Sequence, residues 1–430
     1  MRQARCKNLL MTDHTRSSLV PPIPTRFEFS QEFQLILACS WIAHDSSKAL
    51  QASTVATLCR EGVDWNRFLS LLDRHKVSGI AYAVLTSTAK SYLPDDFKVE
   101  LKDRKLRDWK TALVHANELV RLKNSFSKSG IDLLPLKGIT LSLRLFGDPG
   151  MRHVRDLDLL VRPDAVDQSD EILRSEGYRR IHPELQATAG RKRLQLHHER
   201  HLEYYRDDLR VRVELHWKWD MLSPQKVSEL WGHSHRIAFQ GTSINMMDDD
   251  LLLLTLCDHA AGHRFARLKW LSDCSMILAN TPHSSWDRVL EQAKIFDMER
   301  PLAEAALLAE WLYGIELPQQ LISLIVREKP AFRMACESIG YMLAEVKNAK
   351  DPQGQLSFVQ YAKRAPAQYI RAFRYTKSLR KKSNLYASLS RDLIRSADFD
   401  ALPLPDKLTW LYYPLRPFLW LWRHATRSER

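Results

Sequence analysis

Two aspartates one residue apart, Asp156 and Asp158, stand in the segment Asp156-Leu-Asp-Leu-Leu-Val161. Polar and apolar residues alternate there, which predicts a strand with both carboxylates on one face. Neighbouring carboxylates repel each other and resist desolvation, and a divalent cation offsets both penalties. Oxygen ligands in a short Asp-x-Asp suit Mg2+, which binds through one or two carboxylates and fills its shell with phosphates. A third carboxylate stands in Val211-Arg-Val-Glu214-Leu-His216, where Arg212, Glu214 and His216 alternate with apolar residues. If that strand neighbours the first, Glu214 faces the same site. Two metal ions could then share Asp156 and Asp158, with Glu214 holding one and activating an acceptor hydroxyl.

Upstream, Lys137-Gly138-Ile139-Thr140 sits where a short apolar run gives way to helical spacing. A glycine lets the backbone approach a phosphate, and a helix N-terminus offers free N–H groups. Lys137 and Arg152 can neutralise phosphate charge. Lys137, Gly138, Thr140 and Arg152 are therefore the candidate nucleotide-phosphate contacts.

Residues 134–161 resemble the bacterial uncharacterised nucleotidyltransferase family, within the DNA polymerase β-like superfamily. The resemblance rests on Lys137-Gly138, the Gly147-Asp-Pro-Gly150 turn, Asp156-Leu-Asp158 and Glu214-Leu-His216-Trp217. His259, His263, Trp270, Leu271 and Asp273 look like a family helix as well. Ile139 stands where the wider superfamily has Gly or Ser, and Glu214 where it more often has Asp. The resemblance implies transfer of a nucleoside monophosphate from an NTP, with ATP the default donor, and release of pyrophosphate. It implies Mg2+ on Asp156 and Asp158, Glu214 as the third catalytic carboxylate, and Gly138 in the phosphate loop. The acceptor is unidentified, with a sugar, a peptide or a protein as candidates. One alternative is an inactive nucleotide- or anionic-polymer-binding protein on the same fold, and another is a kinase-like transferase using the same metal site.

These residues need elements to hold them. Residues 29–129 carry apolar residues three and four apart and predict a helical region. Its last part, Leu101 to Ser129, places Trp109, Leu113, Ala116, Leu119 and Leu122 on one stripe. Residues 130–247 predict the catalytic core, a strand–helix–strand–helix–strand–strand unit, with strands at residues 131–137, 156–161, 201–207 and 209–219. From Asp248 to residue 430 the pattern is helical again, opening on acidic residues suited to a helix N-terminus. The expected fold is α+β, a small mixed-sheet core flanked by helical regions, after a flexible lead-in of residues 1–28.

A chain of 430 residues is too long for one core. With 45% apolar and 27% charged residues it is globular in composition. The net charge of +13 favours anionic partners, in the first place a nucleotide substrate. Nucleic acid is a weaker candidate, carried by the basic, aromatic-interleaved run from Tyr361 to Lys382, whose plain reading is a solvated helix face. Six scattered cysteines without a Cys-x-x-Cys pair fit free thiols. No secretory signal is visible, and Lys407, Pro414, Arg416 and Pro417 interrupt the apolar C-terminal segment, so no transmembrane segment is expected. The expected compartment is the cytoplasm.

Two histidine groups stand apart. His197-His-Glu-Arg-His201 is not His-Glu-x-x-His, because Leu202 occupies the needed position. It is expected at or beside a strand near the cleft, with zinc a minor possibility. His259 and His263 share a helix face with Asp258, and packed, hydrogen-bonded rings are favoured over a substrate contact.

Overall fold

The computed structural model describes residues 19–42, 45–182, 188–219, 224–344, 396–415, 418–419 and 422. The basic run of 361–382, residues 1–18 and Cys6 lie outside the described residues. The chain begins with helices α1 (Gln31–Cys39), α2 (Asp45–Arg60), α3 (Trp65–His75), α4 (Ser78–Thr88) and α5 (Asp95–Lys128). There follow β1 (Leu134–Pro135), α6 (Ile139–Phe146), β2 (Asp156–Leu160), α7 (Val166–Ser175), β3 (Arg179–His182), α8 (Ala189–His198), β4 (His201–Arg206) and β5 (Val211–His216). Then come α9 (Pro224–Gly232), β6 (Ser234–Phe239), β7 (Thr242–Met247), α10 (Asp249–Gly262), α11 (Leu268–Asn280), α12 (Trp286–Phe296), α13 (Glu299–Tyr313), α14 (Gln319–Arg327) and α15 (Lys329–Leu343). The fold is α+β, a mixed five-stranded sheet and a two-stranded sheet with helices before and after them.

The chain forms two compact units. The first comprises residues 1–116, 137–155 and 247–347. It is helical, and α13 is its centre, packed by α10, α11, α14 and α15. Leu302, Ala305, Ala306 and Leu308 of α13 are fully buried. Even Glu304 is buried there, accepting a hydrogen bond from the Ser338 hydroxyl at 2.7 Å, the kind of partner a buried polar group needs. Side-chain caps fix helix starts: Ser30 accepts from the Phe33 N–H and Asp64 from the Arg67 N–H.

The Gly-Asp-Pro-Gly turn belongs to this unit and is built for packing. Gly147 ends α6 with φ 67°. Asp148 accepts from the Gly150 N–H at 2.7 Å and from Lys105 Nζ at 2.8 Å. Burial alone would raise the Asp148 carboxyl pKa, and these donors hold it below its usual value. A Cβ on Gly150 would lie 2.8 Å from the Trp109 ring. Trp109 is thus half-exposed and covers the turn, off the stripe expected for α5. The buried residues of that helix are Phe97, Leu101, Ala112, His115, Ala116, Glu118, Leu119, Leu122 and Phe126.

The second unit comprises residues 117–136, 156–246 and 348–430. Its sheet has the order β1-β2-β5-β4-β3, parallel only between β2 and β5. Leu157, Leu159, Val211, Val213, Leu215, Leu202 and Tyr204 are buried on its apolar face. Tyr204 donates to Asp170 of α7 at 2.7 Å, and Arg180 of β3 pairs with the same carboxylate. β6 and β7 form a hairpin whose two turn residues, Gln240 and Gly241, have φ of 44° and 76°, the backbone of a tight two-residue turn. Phe399, Tyr412 and Leu419 make a small C-terminal core with Leu194 of α8, while Trp410, Phe418 and Trp422 of the same segment are exposed.

Strands β3, β6 and β7 and helix α8 were not expected from the sequence. Arg179–His182 offers only one apolar residue, and Gln-Gly is a weaker turn signal than Asn-Gly. Cys39, Cys59, Cys257, Cys274 and Cys336 are free and buried. No helix among the described residues is long and apolar enough to cross a membrane.

Candidate active site

The second unit carries the acidic site, and register explains it. β2 and β5 run parallel with Asp156 opposite Arg212, Asp158 opposite Glu214 and Leu160 opposite His216. β4 runs antiparallel on the other side of β5, with Glu203 opposite Glu214 and His201 opposite His216. Opposed residues share a face, so Asp156, Asp158, Arg212, Glu214, His216, His201 and Glu203 all lie on the polar face of three adjacent strands. The alternating leucines and valines of the same strands lock that face from below.

Asp156, Asp158 and Glu214 each bring a carboxylate oxygen within 4.8 Å of the others. Asp158 is 1% exposed, whereas Asp156 and Glu214 are half-buried. The Asp158 backbone carbonyl accepts from the Leu136 N–H at 3.0 Å, which ties β2 to the end of β1. Three oxygen donors held on rigid strands match the donor preference of Mg2+.

His216 adjoins both inner carboxylates. Its Nε2 is 3.4 Å from Asp158 Oδ1 and 3.5 Å from Glu214 Oε2. Burial would lower its pKa, but the Asp158 and Glu214 carboxylates beside it prevail and hold it above its usual value. The next residue, Trp217, is buried and its Nε1 donates to the Leu196 carbonyl at 3.0 Å. In Glu-Leu-His-Trp the charged residues thus serve the polar face, while Leu215 and Trp217 anchor the strand.

The remaining sequence candidates belong to the helical unit. Gly138 precedes α6 with φ 85° and ψ −128°, a conformation open to glycine and costly for other residues. The buried Thr140 hydroxyl turns back to the Lys137 carbonyl at 3.4 Å. Arg152 is buried, and its Nε donates to both carboxylate oxygens of Asp273 at 3.0 Å. Burial pushes the Asp273 carboxyl pKa up despite Arg152 beside it. His263 stacks on Trp270 at 4.8 Å between ring centroids and touches His259 at 4.6 Å. Burial first, then Lys137, His263, Lys269 and Arg152, drive the His259 pKa well below its usual value. Packed rings are what the structure gives for that pair.

The sequence put the His197–His201 segment at or beside a strand near the cleft but did not pair His201 with His216. Its place at the head of β4, opposite His216, depends on strand pairing and not on local pattern. The signal available was the alternation of His201, Glu203 and Tyr205 with Leu202 and Tyr204.

The sequence model of the family described as uncharacterised nucleotidyltransferase matches residues 61–314, more than half of the chain. The chain belongs to that family. The family assigns it the transfer of nucleotidyl groups, and so a nucleotide substrate. No curated protein and no solved structure matches the chain.

Proposed function

We propose that the protein transfers a nucleoside monophosphate from an NTP to an acceptor hydroxyl with Mg2+ held by Asp156, Asp158 and Glu214, in the manner of the DNA polymerase β-like superfamily. The observation that carries this reading is the convergence of three carboxylates from two parallel strands within 4.8 Å. Bound there, a divalent cation supplies neutralising charge for the phosphates and polarises the attacking hydroxyl.

The chain's own residues do the rest. Asp156 and Asp158 are fixed by a strand whose intervening leucines are buried, so their spacing is set before substrate arrives. The acceptor oxygen attacks the α-phosphorus as the bond to the β-phosphate oxygen breaks and pyrophosphate leaves. The acceptor's proton goes to Glu214, the more exposed of the two carboxylates beside His216. His216 Nε2, 3.5 Å away, is placed to hold that proton in turn. In the helical unit, Lys137, Gly138 and Thr140 are proposed phosphate contacts at the start of α6. Arg152, kept in place by Asp273, adds positive charge to that unit.

The test is incubation of the full chain with α-labelled and, separately, γ-labelled NTPs, Mg2+ and a cell extract as acceptor pool. Label passing from the α position in the wild type and not in Asp158→Asn supports nucleotidyl transfer. Transfer of γ label alone would make the enzyme a kinase. Mg2+-dependent NTP binding with no transfer would make it a binding protein on this fold.

A further inference from the structure

We propose that His201, Glu214 and His216 form a second metal position on the same sheet face, one that takes a first-row transition-metal dication such as Zn2+ or Co2+. This goes beyond the Mg2+ reading; it shares Glu214 with the three carboxylates and draws on His216, which that reading uses only to hold a proton.

The position arises from register. His201 is opposite His216 across β4 and β5, and Glu214 stands two residues before His216 on the same face. One ligand atom from each of the three lies within 4.8 Å of the others. The two imidazole centroids are 4.9 Å apart. His216 Nε2 is 3.5 Å from Glu214 Oε2. Ligands each about 2.1 Å from a tetrahedral ion stand about 3.4 Å apart; the His216–Glu214 pair matches that spacing, and a ligand atom of His201 lies within 4.8 Å of both. Neither histidine is a core residue, because both are half-buried on the polar face while Leu202 and Leu215 turn to the other.

Donor chemistry separates this group from its neighbour. Asp156, Asp158 and Glu214 are all oxygen donors and favour Mg2+. Two imidazoles and one carboxylate favour zinc and its transition-metal neighbours, and three protein ligands leave a position open to water or substrate. Glu203 supports the arrangement. Arg212 Nη1 donates to its Oε2 at 2.9 Å, and its Oε1 is 3.6 Å from His201 Nε2. Carboxylates commonly stand in this way behind metal-bound histidines and hold the ring.

The experiment titrates the chelator-stripped full chain with Co2+ and reads its visible absorption. One Co2+ per chain, displaced by Zn2+ and retained in excess Mg2+, is expected. His201→Gln and His216→Gln should each weaken Co2+ binding by about tenfold or more. Asp156→Asn, which alters only the carboxylate group, should leave it unchanged. His201→Gln should in turn leave Mg2+-dependent NTP binding unchanged, so the two metal readings fail separately. Absence of a Co2+ band, or a band that both histidine variants retain, overturns the proposal. A band lost in Asp156→Asn and kept in His201→Gln assigns the cobalt to the carboxylates and overturns it as well.

Discussion

Asp158 and Glu214 are register partners on the only parallel strand pair of the five-stranded sheet, and their carboxylates face the same side. Like charges placed directly opposite on a sheet destabilise it by about 0.2–1 kcal/mol. His216, set against both, eases that repulsion in the metal-free protein. Asp156→Asn and Asp158→Asn should therefore keep the fold, with a melting temperature in chelator no lower than the wild type's. Turnover should fall by about 100-fold or more, as when a transition-state charge partner is removed. Single-turnover rates with labelled NTP check this, and full activity in either variant would sink the metal assignment.

Glu214→Gln is expected to act on the rate more than on binding. Gln keeps the shape and loses the proton-accepting charge, so kcat should drop by about 10²–10⁴-fold, the range of general-base effects. The dissociation constant for NTP should move far less. Equal losses in both would remove Glu214 from the proton-transfer role.

The site was legible in part. The alternation in Asp-Leu-Asp-Leu-Leu and Val-Arg-Val-Glu-Leu-His showed which residues share a face, because strand side chains have a period of two. Whether β5 adjoins β2 was only a condition in the sequence, since pairing between distant strands leaves no local trace. Arg152 illustrates the same limit: its partner Asp273 lies on α11, and no spacing rule joins them. The helical regions were readable from their apolar periodicity. The Gln240-Gly241 hairpin was not, because a glutamine with positive φ is an unusual choice at that turn.

Two glycines should respond to alanine in opposite directions. Gly79, in the first turn of α4, faces the Gly-Asp-Pro-Gly turn, and a Cβ there would lie 2.6 Å from the Met151 carbonyl oxygen and closer still to that of Gly150. Backbone cannot yield cheaply, so Gly79→Ala should cost about 1–3 kcal/mol. Gly340 lies inside α15 with nothing within 4 Å of a Cβ. Gly340→Ala should stabilise by about 0.5–1 kcal/mol through helix propensity. Urea unfolding of both variants reads the two signs.

His75 predicts a pH dependence of stability in the helical unit. It is fully buried, and its Nδ1 accepts the Leu268 N–H at 3.2 Å. Burial first, then Arg74 and Arg267, lower its pKa from the ordinary 6.5 to about 3. The Phe33 ring meets its edge at 5.8 Å and gives no compensating charge. Between those values the unfolded chain binds a proton that the folded chain does not. Stability from the neutral ring is therefore complete above about pH 6.5 and declines as pH falls, by up to about 1.4 kcal/mol per unit. Between pH 6.5 and 5 the loss from this one group approaches about 2 kcal/mol. His75→Gln has no proton to take up, and its amide oxygen can accept the same N–H. The stability difference between wild type and variant should therefore shrink by about that amount from pH 6.5 to 5. Urea midpoints at pH 7, 6 and 5 measure it, and a difference that stays constant would mean the ring titrates equally in both states.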